Sequence, residues 1–228
     1  RDRLVAGAEL QHNAVKDEIT GYQRLINQKV TNGGAFLQYE WQPNTRFKLL
    51  AGARYDYTFV DGRYVIGAIE REQDLVTAVL SPRANVLYNL NENWQWRASY
   101  ARGFRAPQAF NEDLHISSVG GEAKFLQLSE SLEKELSDAF VSSFNFADNW
   151  GKTQVSFLVE GFYTQLSNPF TAVNIGVTLP NGSIVEEVRN GVGAYVSGVN
   201  FEWQMAPSTN FDFALGGTAQ TARYLEEQ

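Results

Sequence analysis

Glu112, Asp113 and His115 fall within four consecutive positions, and together they offer the oxygen and nitrogen donors that hold a divalent cation. A solvated loop is the plainer reading of so polar a run. His12 is the only other histidine and lies in a different connection, so neither a His-rich metal site nor a Ser-His-Asp relay can be read. The absence of cysteine removes thiol catalysis, disulfide scaffolds and Cys-based zinc sites together. Glu130, Glu133, Lys134 and Glu135 are spaced for one exposed helical turn with local ion pairs rather than for a carboxylate site. Asn181-Gly182-Ser183 fits a glycosylation acceptor, but Asn-Gly is first a turn signal. Arg63, Tyr64, Arg71, Phe110, Tyr163 and Phe170 stand in or beside long connections, where ligand contacts concentrate over a rigid scaffold. These residues suit binding. No enzymatic activity, cofactor or resident metal is expected from them.

The scaffold that must position them is written in period two. Four short breaks have turn chemistry: Gln42-Pro43-Asn44-Thr45, Asn91-Glu92-Asn93, Asp148-Asn149-Trp150-Gly151 and Ala206-Pro207-Ser208-Thr209. Around each, apolar and polar residues alternate, the signature of a strand with two unlike faces. Trp94, Trp96, Ala98 and Tyr100 oppose Gln95, Arg97 and Ser99; Phe47, Leu49, Ala51, Ala53, Tyr55 and Tyr57 oppose Lys48, Arg54 and Asp56. Val199, Phe201 and Trp203 oppose Asn200, Glu202 and Gln204 in the same way. Residues 138–147 alternate less cleanly, with Phe140, Phe144 and Phe146 on one parity and Val141 on the other. The connections between these hairpins, 11–31, 58–77, 105–136 and 167–191, are long, so short and long alternate along the chain. A partial strand at Leu4, Ala6, Ala8 and Leu10 precedes about eight long antiparallel strands.

Alternation alone also suits a soluble sandwich or a lipocalin-like barrel. Four features favour a membrane. Each strand runs about 10 to 13 residues, against about 5 to 6 for soluble strands and roughly 9 to 11 for a tilted spanning strand. The loops are short at one end and long at the other, as in outer-membrane barrels. All five tryptophans, Trp41, Trp94, Trp96, Trp150 and Trp203, lie beside short turns, as a belt at a membrane interface requires. Finally, Glu40, Arg54, Asp56, Arg83, Arg97, Glu160, Glu202 and Asp212 share the polar parity, too many charges for a small dry core. They need a wet lumen. Arg102 alone breaks the apolar parity, at a place where it can snorkel to the outer interface.

Composition agrees: aromatic residues reach 13%, mean hydropathy is −0.31, and no run of about 18 apolar residues offers a spanning helix. A net charge of −7 speaks against nucleic acid, which calls for a basic face. The sequence opens at Arg1-Asp2-Arg3 with no leader pattern, and a mature or excised piece is expected.

The segment Arg97 to Pro107, and within it Gly103-Phe104-Arg105-Ala106-Pro107, resembles the strand-to-loop motif of TonB-dependent outer-membrane receptors. Ser81-Pro82-Arg83 is similar to the start of that family's preceding strand, and Leu132 to Ser137 to its approach to the next, with Lys134 replacing the usual proline. Asn190-Gly191 also fits. The resemblance implies an up-and-down transmembrane barrel of about 22 strands, with short periplasmic turns and long extracellular loops. Residues 1–228 would be a part of that barrel, and the plug domain would lie outside them. It implies, further, a Gram-negative outer membrane, lipid and the TonB complex as partners, and uptake of a scarce nutrient such as an iron-siderophore, haem or cobalamin-like ligand. An autonomous small barrel, structural or lipid-modifying, is the alternative.

Overall fold

The computed structural model describes residues 2–20, 24–66, 69–107, 124–178, 182 and 184–225. Twelve strands follow in order: β1 (Asp2–Ile19), β2 (Arg24–Trp41), β3 (Phe47–Ile66), β4 (Ile69–Asn89), β5 (Trp94–Arg105), β6 (Lys124–Leu128), β7 (Glu135–Trp150), β8 (Thr153–Ser167), β9 (Phe170–Thr178), β10 (Ile184–Asn190), β11 (Ala194–Ser208) and β12 (Phe211–Tyr224). Nine of them make one antiparallel sheet in the order β1-β2-β3-β4-β5-β7-β8-β11-β12, with β1 and β12 at its edges. The other three form a separate sheet, β6-β10-β9, in which β10 runs parallel to β6 and antiparallel to β9.

The short turns close as their sequences dictate. Asn44 Oδ1 accepts from the backbone N–H of Arg46 and of Phe47, each at 2.9 Å. Asn91 repeats the device, accepting from Asn93 N at 2.9 Å and Trp94 N at 2.8 Å. An asparagine side chain that mimics a backbone turn needs no long loop, so the two strands leave in register. Between Trp150 and Thr153, Gly151 takes φ +68°, a conformation that glycine adopts without steric cost.

Register then sorts every side chain. Phe36 pairs with Arg54, Arg54 with Ser81, Arg83 with Ala101 and Arg97 with Ser143; Ser143 pairs with Glu160, and Glu160 with Asn200. These residues therefore share one face. Opposite them, the row Tyr88, Trp96, Phe144, Val159, Phe201 and Gly217 is continuous across six strands. Phe144 and Phe201 on this second face are exposed in the isolated wall, as are Leu37, Tyr55 and Leu80. Residues 138–147 obey the same rule: Phe140, Phe144 and Phe146 point to the apolar face and Val141 to the polar one. Ser142, polar on the apolar face, accepts from Trp96 Nε1 at 3.0 Å, so each neutralises the other's unpaired group.

Three expectations need correction. Segments 11–31 and 58–77 are largely strand: β1 and β2 pair from Asp2↔Trp41 to Ile19↔Arg24, and β3 and β4 pair out to Ile66↔Ile69. Strands of 18 to 21 residues exceed any bilayer crossing, and backbone pairing simply continues beyond the apolar band. Among the described residues the long strands number nine, as eight plus the first would give, but that first strand is full length rather than partial, and the connection around 167–191 holds two short strands of its own. Glu130 to Glu135 make no helical turn; a tight turn at 130–131 leads into β7 at Glu135.

Candidate ligand-facing wall and mouth

Charges on the polar face are organised by glycine gaps and cross-strand pairs. Glu9, Gly34 and Asp56 lie side by side on β1, β2 and β3. The missing side chain at Gly34 leaves room for the Arg54 guanidinium, which a Cβ there would strike. Arg54 reaches Asp56 at 2.7 Å and Glu9 at 3.2 Å. Lower on the wall Lys48 pairs with Glu40 at 2.9 Å, and Arg83 bonds Gln38. Thr218, Asn200 and Glu160 form a hydrogen-bonded ladder, at 2.8 and 3.1 Å, across three strands. A 370 Å³ recess lies among them, lined in part by Lys48, Asn85, Arg97, Ser99, Ser143 and Glu160. Such a surface is wettable and carries both signs of charge.

At the far end from the short turns, Tyr64 lies over Gly62 and donates to Gln28 Oε1 at 3.1 Å. Gly62 is the Cα partner of Gln28, so the glycine gap is what lets the ring cross to the next strand. Burial, with Asp61 nearby, pushes the Tyr64 phenol up to about 12. The folded value stands above the unfolded value of about 10, so this group's contribution to stability is complete below about pH 10 and is lost as pH rises through about 12. In tyrosinate absorbance titrations, Tyr64→Phe should remove one late-titrating phenol. Superimposable curves for wild type and variant at high pH would refute the assignment.

The three stretches that carried the family resemblance meet at one place. β4 and β5 pair from Asn89↔Gln95 to Arg83↔Ala101, next to Pro82, which has no N–H to continue the ladder. β5 and β7 pair onward to Arg105↔Glu135. The sheet thus divides above Arg83, β4 staying with β3 and β5 with β7. Lys134 Nζ reaches across and donates to the Ala78 carbonyl at 2.7 Å. Gly103 leaves space for Ser137 Oγ, Phe104 ends the apolar face of β5, and Ala106 precedes a buried Pro107. Arg105 lies 5.3 Å over the Phe170 ring, while Glu135 accepts from the Phe170 N–H at 3.0 Å.

Of the sequence candidates, Tyr64 and Arg71 are Cα partners, and Phe170 is drawn to motif residue Arg105. Arg63 points to the opposite face from Tyr64 and pairs with Glu70 at 2.5 Å. Tyr163 also lies on the apolar face, stacked 5.8 Å from Tyr195. Phe110, Glu112, Asp113 and His115 lie outside the described residues. Among the described residues no group of acidic or histidine side chains could hold a metal ion. Sequence reasoning missed Glu9, Gln28 and Asp138, and marked Asn190 only through the family resemblance, not for the contacts it makes. Asp138 carried a signal: like Arg102, it breaks the apolar parity of its strand.

The apolar face is bordered at the short-turn end by tryptophan. By register Trp41, Trp94, Trp96, Trp150 and Trp203 all belong to it. Three pack on neighbouring phenylalanines: Trp41 on Phe47 at 5.8 Å, Trp94 on Phe146 at 4.9 Å and Trp203 on Phe213 at 5.3 Å. Toward the other border Arg102 makes a two-pronged pair with Asp138, at 2.9 and 3.1 Å, and the Tyr100 hydroxyl donates to the same carboxylate at 2.6 Å. A two-faced antiparallel wall with a charged interior side, an apolar outer side and an aromatic border defines a membrane β-barrel.

The family described as TonB dependent receptor-like, beta-barrel matches residues 3–227. The chain belongs to that family. Solved structures with the same fold include "Copper transporter OprC" (TM-score 0.68, 13% identity, 97% of this chain and 36% of that one). The ferric yersiniabactin uptake receptor FyuA from Yersinia pestis gives 0.64 at 14% identity, covering 98% and 33%. The FrpB iron transporter from Neisseria meningitidis (F5-1 variant) gives 0.63 at 18%, covering 86% and 27%. The chain therefore spans 27% to 36% of those chains. No curated protein sequence matches.

Proposed function

We propose that this chain is part of the wall and mouth of an outer-membrane, energy-coupled receptor that takes up a scarce nutrient of the iron-siderophore, haem or cobalamin type. The observation that carries the reading is the division of faces: a ladder of charges and amides on one side, and on the other an apolar surface bordered by tryptophan, within a family of TonB-dependent receptor barrels. The tryptophans would sit at the periplasmic interface, where an indole keeps its ring in lipid and its N–H wet. Tyr64, Arg71, Phe110, Glu112, Asp113, His115 and Phe170 remain the positions proposed for ligand contact, Tyr64, Arg71 and Phe170 from strands rather than loops, whereas Arg63 and Tyr163 stand on the parity opposite the polar face. Gly103 to Pro107 fix the strand-to-loop exit beneath them. The TonB complex would act through the plug of the full-length protein, in a Gram-negative cell.

The related transporters of iron, copper and ferric yersiniabactin support metal chelates as the first ligands to test. Accumulation of labelled iron, supplied as separate chelates, should fall in a strain lacking the full-length gene and return on complementation. An uncoupler that collapses the inner-membrane gradient should abolish it. Uptake that survives the uncoupler, or growth on every iron, haem and cobalamin source without the gene, would sink this reading.

A further inference from the structure

We infer that the small outer sheet carries a binding site for a neutral, polyhydroxylated ligand, a sugar or polyol unit. The site is the cavity where the strap between β6 and β7 crosses the end of β10. The inference deepens the uptake reading and rests on it for the side of the membrane that the cavity faces. The cavity measures 480 Å³, inside the range of about 300 to 1,000 Å³ that holds small ligands. Ser129, Ser131 and Glu133 line it from the strap, and Glu187, Arg189 and Asn190 from β10, with Asn168 between them.

The lining chemistry selects the ligand. It contains no aliphatic or aromatic side chain, so an apolar ligand would gain no burial to offset the polar groups it desolvates. One cation faces two carboxylates, and Arg189 Nε is already bonded to Glu187 at 2.5 Å; an anion would meet net repulsion. Hydroxyl groups, which both donate and accept, match what is left. The Ser129 and Ser131 hydroxyls lie 3.1 Å apart and can rotate. The Glu133 carboxylate supplies an acceptor, and the Arg189 guanidinium brings five N–H donors to the same lining.

The walls are held before any ligand arrives. Asn190 Oδ1 accepts from Glu133 N at 2.7 Å, while its amide donates to the carbonyls of Glu133 and Asn168, each at 2.9 Å. Asn168 Nδ2 donates to Glu133 Oε2 at 3.1 Å, from a residue at φ 56°. A single side chain thus ties strap, β10 and the start of the β9 hairpin into one frame. Preorganisation of this kind lowers the ordering cost of binding.

The test is ligand-observed NMR on the full-length receptor in detergent, with maltose and sorbitol against citrate and inorganic phosphate. Maltose or sorbitol should bind saturably in the millimolar range. Arg189→Ala and Glu133→Gln should each weaken that binding roughly tenfold with an unchanged sheet signal in circular dichroism. Asn190→Ala should abolish it. Tighter binding of citrate or phosphate, no binding of either neutral probe, or binding indifferent to Arg189→Ala and Glu133→Gln would overturn the inference. If the neutral probes fail while chelate uptake persists, only this site falls. If they bind and uptake is absent, the site stands and the uptake reading falls.

Discussion

Arginine placed at Ala98 is expected to cost roughly 2 to 4 kcal/mol of stability, whereas arginine at the next residue, Ser99, should cost no more than about 0.5 kcal/mol. The two positions are adjacent in sequence and opposite in environment. Ala98 pairs with Val86 and Ser142 on the apolar face, and Ser99 with Asn85 and Val141 on the polar face beside Arg97. Ala98 lies four residues beyond Trp94 on the same face, which at a strand rise of about 3.3 Å and a tilt of about 40° is roughly 10 Å above the tryptophan border. That depth is close to the middle of an apolar band about 25 Å tall. A guanidinium there has neither water nor a carboxylate within reach. Equilibrium unfolding of the full-length receptor in phospholipid vesicles measures both variants. Equal costs at the two positions would mean that the faces have been assigned wrongly.

The same contrast explains how much of this fold could be read from sequence. Where one face meets lipid and the other water, each residue reports its face, so β5, β11 and the lower halves of β2 and β3 stand out in period two. Above the apolar band both faces are wet. Asn13, Lys16 and Glu18 on β1, and Lys29, Asn32 and Asp61 on β2 and β3, give no alternating hydropathy, and segments that are in fact paired strands resemble loops. A fainter record survives in Ile26, Val30, Val60 and Val79, all buried on the polar side of these extensions. The outer sheet was illegible for a different reason. β6 and β10 pair in parallel from Lys124↔Ile184 to Leu128↔Val188, across a separation that no local pattern encodes. Of the site, the motif around Gly103 to Pro107 was visible, but not what it joins. The carbonyl that Lys134 caps and the ring that Arg105 covers belong to strands distant in sequence.

Arg102 and Asp138 yield the second large effect. Both break the apolar parity of their strands, yet they are Cα partners, and the carboxylate takes three hydrogen bonds, two from Arg102 and one from Tyr100. Removing one partner of such a pair leaves the other charge facing lipid with nothing to offset its lost hydration. Asp138→Leu should therefore cost about 1 to 3 kcal/mol, a range lowered for the partial exposure of the pair and its place near the border. Arg102→Leu should cost less, since Asp138 keeps the Tyr100 hydroxyl as a donor. The double variant, with two leucines on a lipid-facing surface, should recover most of the loss suffered by Asp138→Leu alone. A cycle of the two single variants and the double separates this coupling from ordinary packing. Additivity within about 0.3 kcal/mol would show that each residue contacts water or headgroups independently. It would also move the upper border of the apolar band below Arg102, and with it the tilt and depth at which this wall crosses the membrane.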